Sequence, residues 1–187
     1  ARSHPREAPA HRRYPASTME QIVITGTRDG TASIPVAIAS FDAEMLRQRN
    51  VTSVMDVGDH VPNVKFDTST DPTSARIQIR GLGPEPGVGS RVGLYMDGVY
   101  WGYQRGSIFT LMDIERIEVL RGPQGVAFGR NTTGGAVLVH SNKPGPEPSA
   151  LATVGYGNQN LLTVDTVLNY PIREDLYARL ALQSRDS

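Results

Sequence analysis

Residues 115–125 read Glu115-Arg116-Ile117-Glu118-Val119-Leu120-Arg121-Gly122-Pro123-Gln124-Gly125. From Ile114 to Leu120 the residues alternate with the period of a strand, Ile117 and Val119 on one face, Glu118 and Leu120 on the other. Gly122-Pro123 ends the run, because proline has no amide to give to a ladder. Residues 134–140 form the next strand by the same reasoning. Upstream, Ala75-Arg76-Ile77-Gln78-Ile79-Arg80 alternates and stops at Gly81, and residues 92–99 form a strand broken by the hairpin pair Asp97-Gly98.

Before these strands the pattern is helical. A strand over residues 36–40 leads into a helix over 41–49, in which Phe41, Met45 and Leu46 fall at helical spacing. Its acids (Asp42, Glu44) come early and its bases (Arg47, Arg49) late, as the helix dipole favours. Thr52 is expected to cap a second short helix through His60, ended by Pro62-Asn63. Two short helices and four or five strands in mixed order predict a small α+β domain.

Residues 143–149, Lys-Pro-Gly-Pro-Glu-Pro-Ser, are a linker, since three prolines in five residues suit neither helix nor strand. Beyond it three segments alternate: Ala150, Ala152, Val154 and Tyr156; then Leu162, Val164, Thr166, Leu168 and Tyr170; then Leu176, Ala178, Leu180 and Leu182. Turns are expected at residues 157–160 and 171–175. Segments of about eight to ten residues have the length of a tilted transmembrane strand. They also suit an antiparallel meander packed on the first domain, and Asp165 and Arg179 fall on the polar face either way. Three strands cannot close a barrel, so membrane strands would make this chain a fragment.

Composition narrows the function classes. With 39% hydrophobic and 20% charged residues the chain is not disordered throughout. Its 19 basic and 19 acidic residues leave none of the basic excess of a nucleic-acid binder. Without cysteine it has no disulfide, thiolate metal site or cysteine nucleophile. Residues 1–17, rich in Arg, Pro, Ala and His, read as a mobile mature N-terminus or an expression remnant.

Four motifs in order resemble the N-terminal part of TonB-dependent outer-membrane receptors. Ile22-Val23-Ile24-Thr25-Gly26-Thr27-Arg28 resembles the TonB box. Ile77-Gln78-Ile79-Arg80-Gly81, followed by Val92-Gly93-Leu94-Tyr95-Met96-Asp97-Gly98-Val99, resembles the central plug strands. Residues 115–125 and Phe128-Gly129-Arg130-Asn131-Thr132-Thr133-Gly134-Gly135-Ala136 resemble the plug signature, Val126 and Ala127 departing from it. The resemblance implies a small mixed-sheet plug domain, then antiparallel strands of an incomplete transmembrane β-barrel. Residues 1–19 would be a flexible lead, 20–34 the TonB box and its linker, 35–143 the plug, and 149–187 the first barrel strands. The lead is too short for the additional signalling domain of some such receptors.

The resemblance also implies partners and sites. The periplasmic domain of TonB would capture Glu20-Gln21-Ile22-Val23-Ile24-Thr25-Gly26-Thr27-Arg28 by strand addition, in which main-chain hydrogen bonds give affinity. The same residues also read as the first strand of the plug sheet. Arg80 and Arg121 would pair with carboxylates on the inner barrel wall, although each also reads as a solvated charge ending a strand before glycine, and Glu118 belongs to the same set of plug–barrel contacts. Tyr100, Trp101 and Tyr103 are candidates for cargo contact and equally for core or wall packing. The cargo implied is a small molecule, by default a ferric siderophore or other metal chelate, with cobalamin-like molecules and oligosaccharides as alternatives.

No catalysis and no cofactor are expected. Gly122, Gly125, Gly129, Gly134 and Gly135 lack the lysine and the spacing of a phosphate loop, and read as turns and points of close backbone approach. His4, His11, His60 and His140 are scattered without ligand spacing. The rivals are a barrel-free periplasmic binding module and a small α+β enzyme, and no convergent set of titratable groups supports the second.

Overall fold

In the computed structural model, residues 37–68, 75–85, 89–102 and 110–186 are described. The strand β6 (Ile114–Arg121) lies inside a five-stranded mixed sheet, in the order β1-β6-β7-β4-β5. Around it are β1 (Ala37–Asp42), β4 (Val92–Met96), β5 (Val99–Tyr100) and β7 (Gly135–Ser141). Pairing is antiparallel between β1 and β6, β6 and β7, and β4 and β5, and parallel between β4 and β7. The expected faces of β6 are realised. Ile117 and Val119 point into the main core, while Leu120 joins a smaller cluster with Tyr95, Ala136 and Leu138. Both faces are covered from Ile117 to Leu120, where Glu118 is the one charged residue; Glu115, Arg116 and Arg121 lie toward the ends of the strand.

The main core is closed by short elements. The helix α1 (Ala43–Gln48) brings Leu46 onto it, and a 3-10 turn over Met55–His60 brings Val57. The strands β2 (Val64–Thr68) and β3 (Ala75–Ile79) form a separate two-stranded sheet that contributes Val64, Ile77 and Ile79. A short helix α2 (Gly125–Phe128) sits in the connection from β6 to β7.

Several local expectations need correction. Phe41 is not helical: it is the last residue but one of β1, pairs with Ile117 and is buried. Asp42 is the N-cap, its carboxylate accepting from the Met45 amide at 2.7 Å, so the helix starts after it. Thr52 does not cap the next element. Asp56 reaches back instead and accepts from the Thr52 and Ser53 amides, both at 2.8 Å, which tightens the segment into a 3-10 turn. β2 is not among the strands predicted by alternation. The hairpin at Asp97-Gly98 is as expected, with both residues at positive φ (49° and 81°), the geometry of a primed two-residue turn.

After β7 the linker leads to a three-stranded antiparallel sheet in the order β10-β9-β8. Its strands are β8 (Ser149–Tyr156), β9 (Leu162–Arg173) and β10 (Leu176–Asp186). Pro171 lies within β9 rather than in a turn, opposite Tyr177, and a register shift between Leu176 and Tyr177 leaves Ile172 beside it as the extra residue of a bulge. Register places Val154 opposite Val164, and Leu168 between Ala150 and Leu180. One face therefore carries Val154, Tyr156, Leu162, Leu168, Tyr170, Leu180 and Leu182, all exposed. Asp165, Asn169, Arg179 and Gln183 share the other.

Candidate functional site

The polar face of the three-stranded sheet is the face turned to the first domain. The guanidinium of Arg179 on β10 forks onto Asp113, with Nε donating to Oδ2 at 2.5 Å and Nη2 to Oδ1 at 2.6 Å. Asp113 sits just before β6 with φ 54°, a left-handed conformation that Asp tolerates better than most residues. Asn142, just after β7, donates its amide N–H to the Asp113 carbonyl and its side-chain Nδ2 to Oδ1. On β9, Asn169 clasps the linker: Nδ2 donates to the carbonyls of Gly145 and Glu147, and Oδ1 accepts from the Gly145 amide. Asn169 is only 5% exposed, and these three bonds account for its burial.

Burial alone would raise the Asp113 pKa. Hydrogen bonds from Arg179 and Asn142, with the Arg179 charge, outweigh it and hold the carboxyl below the ordinary Asp range. A depressed folded pKa contributes stability that is fully present above the unfolded value, about 3.9, and is lost as pH falls through the folded one. The stability advantage of the wild type over Asp113→Asn should hold at neutral pH and shrink below about pH 4, as read by urea unfolding of the intact receptor across pH.

The proposed arginines gather at one corner. The exposed Arg80 has φ 52°, and its amide donates to the Asn63 carbonyl at 2.8 Å. Arg121 Nη1 donates to the neighbouring Pro62 carbonyl at 3.3 Å, while its Nε is buried without a partner among the described residues. Glu118 is set apart from them on the opposite face of β6. It takes a hydrogen bond from Arg116 Nε at 2.8 Å and lies 3.7 Å from His140.

The aromatic candidates divide. Tyr100 packs its ring against Tyr95 and its hydroxyl accepts from Asn131 at 2.7 Å. Tyr95 in turn stacks on Phe128 and donates to the Phe128 carbonyl, so these rings pin the loop between β6 and β7 to the sheet. Trp101 is 40% exposed at the end of β5. Tyr103, and Glu20, Gln21, Ile22, Val23, Ile24, Thr25, Gly26, Thr27 and Arg28, lie outside the described residues. Among the described residues no group of three or more His, Cys, Asp or Glu could hold a metal, and no helix is long and apolar enough to cross a membrane.

Residues 31–136 match the family model of the TonB-dependent receptor plug domain. The chain belongs to this family. It is 24% identical over 159 residues to the pesticin receptor of Yersinia pestis, covering 83% of this chain and 24% of that receptor. It is 27% identical over 129 residues to the ferrichrome outer membrane transporter/phage receptor of Escherichia coli, covering 66% of this chain and 17% of that protein. The structure of the ferric yersiniabactin uptake receptor of Yersinia pestis superposes with a TM-score of 0.72 at 24% identity, covering 79% of this chain and 24% of that one. The chain thus spans about a quarter or less of the length of these relatives, which are receptors and transporters.

The five-stranded sheet therefore belongs to the plug of an outer-membrane receptor of a Gram-negative bacterium, and a three-stranded antiparallel sheet follows it. A transmembrane β-barrel strand alternates between an apolar and a polar face, and β8, β9 and β10 have one apolar face and one largely polar face, the latter also carrying Leu151, Val167 and Ala181. Sequence reasoning missed the seam between Asp113, Asn142, Asn169 and Arg179. Arg179 was placed on the polar face, but nothing in its own strand points to a partner 66 residues earlier.

Proposed function

We propose that this chain is the plug and first wall strands of a receptor for TonB-powered uptake, with the plug gating passage of a scarce nutrient. Family membership supports a receptor role. The orientation of the strands carries the reading further: the plug receives their polar face at Arg179 and Asn169, and the apolar face is left outward. A barrel-free module would bury its apolar face against the plug. On this reading the plug occupies about 35–143, the wall begins near 149, and TonB engages residues 20–28.

The cargo is best read as a ferric siderophore or similar chelate. The receptors this chain resembles include ones named for ferric yersiniabactin, ferripyoverdine and ferrichrome. Trp101 and Tyr103 lie on the segment offered to cargo, with Tyr100 holding its base. Arg80 and Arg121 meet carboxylates of the wall, which supplies the acceptor that the buried Arg121 Nε lacks. Glu118 approaches the wall with Arg116 and His140.

The test is a titration of the receptor with the periplasmic C-terminal domain of TonB, wild type against Ile24→Pro. Proline removes an amide from the added strand, so binding should weaken at least about tenfold, ~1.4 kcal/mol. Binding that ignores the substitution, or no binding by the wild type, rejects residues 20–28 as the coupling strand.

A further inference from the structure

The hairpin between β4 and β5 carries a chemical liability that its own geometry requires. Asp97 and Gly98 take φ of 49° and 81°, and glycine at the second position suits this left-handed turn. The same pair offers the least hindered route for a backbone amide to attack the preceding side chain, because glycine has no Cβ to stand in the way. Both residues are exposed, and a Cβ built at Gly98 would meet nothing within 4 Å. Among the described residues no backbone hydrogen bond takes up the Gly98 amide.

The Asp97 carboxylate is held away from that amide by another strand. Its Oδ1 accepts from the Ser141 amide at 2.9 Å and its Oδ2 from the Ser141 hydroxyl at 2.7 Å. Ser141 is the last residue of β7, the parallel neighbour of β4, and the Asp97 amide donates to the Val139 carbonyl of the same strand at 2.9 Å. Both carboxylate oxygens are thus engaged by one residue of β7. The bond from the Ser141 hydroxyl, then that from its amide, with attraction to His140 and Lys143, outweigh burial and hold the carboxyl below the ordinary Asp range. A carboxylate is a poor electrophile, since it would have to expel oxide, so attack runs through the protonated form that these bonds disfavour.

We infer that Asp97 is a site of isoaspartate formation and that Ser141 guards it in the folded plug. In the reaction the Gly98 nitrogen bonds to the side-chain carboxyl carbon of Asp97, the C–OH bond breaks, and the hydroxyl leaves with the amide proton as water. A second water opens the cyclic imide at one of its two carbonyls, which either restores aspartate or routes the main chain through Cβ. The second product puts an additional methylene into the backbone. A two-residue turn has no room for it, so the pairing of Tyr95 with Tyr100 across β4 and β5 is lost. The damage falls on the segment read above as offered to cargo, while the chemistry is independent of that reading.

Ageing of the complete receptor in lipid bilayers at neutral pH tests this, with isoaspartate read by electron-transfer fragmentation of the tryptic peptide from Val92 to Arg105. The urea-unfolded chain should isomerise fastest at Asp97, and the folded wild type at a small fraction of that rate. Folded Ser141→Ala should isomerise several-fold faster than the wild type, and Ser141→Thr, which keeps a hydroxyl, close to the wild-type rate. Ser141→Cys, similar in size but only a weak donor, gives the same reading should the alanine variant fail to fold. Tyr95→Phe takes a different hydrogen bond from β4, the one to the Phe128 carbonyl, and should leave the rate unchanged. A wild-type rate in the folded Ser141 variants overturns the guard. So does equal acceleration in Tyr95→Phe, which would trace the effect to general loosening of the sheet, and so does a folded wild type as fast as the unfolded chain.

Discussion

Leu180→Arg is expected to destabilise the folded receptor in a bilayer by about 2–4 kcal/mol, the cost of a charge on the lipid face near the middle of a wall strand. Leu180 is the fifth of eleven residues in β10 and lies opposite Leu168, both exposed on the apolar face. Gln183→Arg, three positions along on the other face, is the control. Gln183 donates to Asp165 at 2.7 Å, so an arginine there meets an opposite charge and should change stability by no more than about 0.5 kcal/mol. Reversible urea unfolding of the complete receptor into and out of lipid vesicles reads both. Equal costs at the two positions would show that the faces of β10 do not meet different media, and would return the strands to a meander packed on the plug.

The second large effect concerns the backbone of the plug. Gly135→Val should cost about 3 kcal/mol or more, from overpacking combined with a disallowed backbone conformation. Gly135 starts β7 with φ +150°, and a Cβ there would run into the Leu120 carbonyl oxygen and come within 2.7 Å of Ile79 Cδ1. Neither neighbour has room to retreat, since Leu120 is in β6 and Ile79 is fully buried. At Gly122 the φ of +129° is as unfavourable but nothing lies within 4 Å of the added atom. Gly122→Ala should therefore cost only the backbone strain, about 1 kcal/mol. Denaturant unfolding of the receptor, followed by plug fluorescence, separates the two. A Gly135 variant no worse than Gly122→Ala would mean that β6 and β7 can part at this point without loss.

These two substitutions also mark where sequence and tertiary structure divide the determination of this protein. Alternation marks β3 and the centre of β6, because residues facing opposite sides of a strand recur every second position, while β4 and β7 are short, nearly continuous apolar runs buried on both faces. Turn chemistry decided the hairpin at Asp97-Gly98, since the positive φ it needs is a property of those residues alone. The ordered plug motifs were likewise enough to indicate the family. The starts of the helices were harder. Asp42 caps the first helix and Asp56 ties the segment before the 3-10 turn, and which neighbouring amides they take depends on where β1 ends and how the chain returns over the core. β2 is held by its ladder to β3 and by Val64 and Phe66 against the core, and its five residues alternate apolar and polar as those of β3 do, so its periodicity is present in the sequence.

For the wall strands the limit has a different cause. Alternation in β8, β9 and β10 states that their two faces differ, but not which medium each face meets. An apolar face suits a protein core as well as it suits lipid. Only the folded chain decides, by bringing Asp113 to Arg179 and the linker to Asn169, so that the polar face is the one covered by protein. Contacts between residues so far apart in sequence leave no periodicity in either segment, because each depends on where the other has been placed.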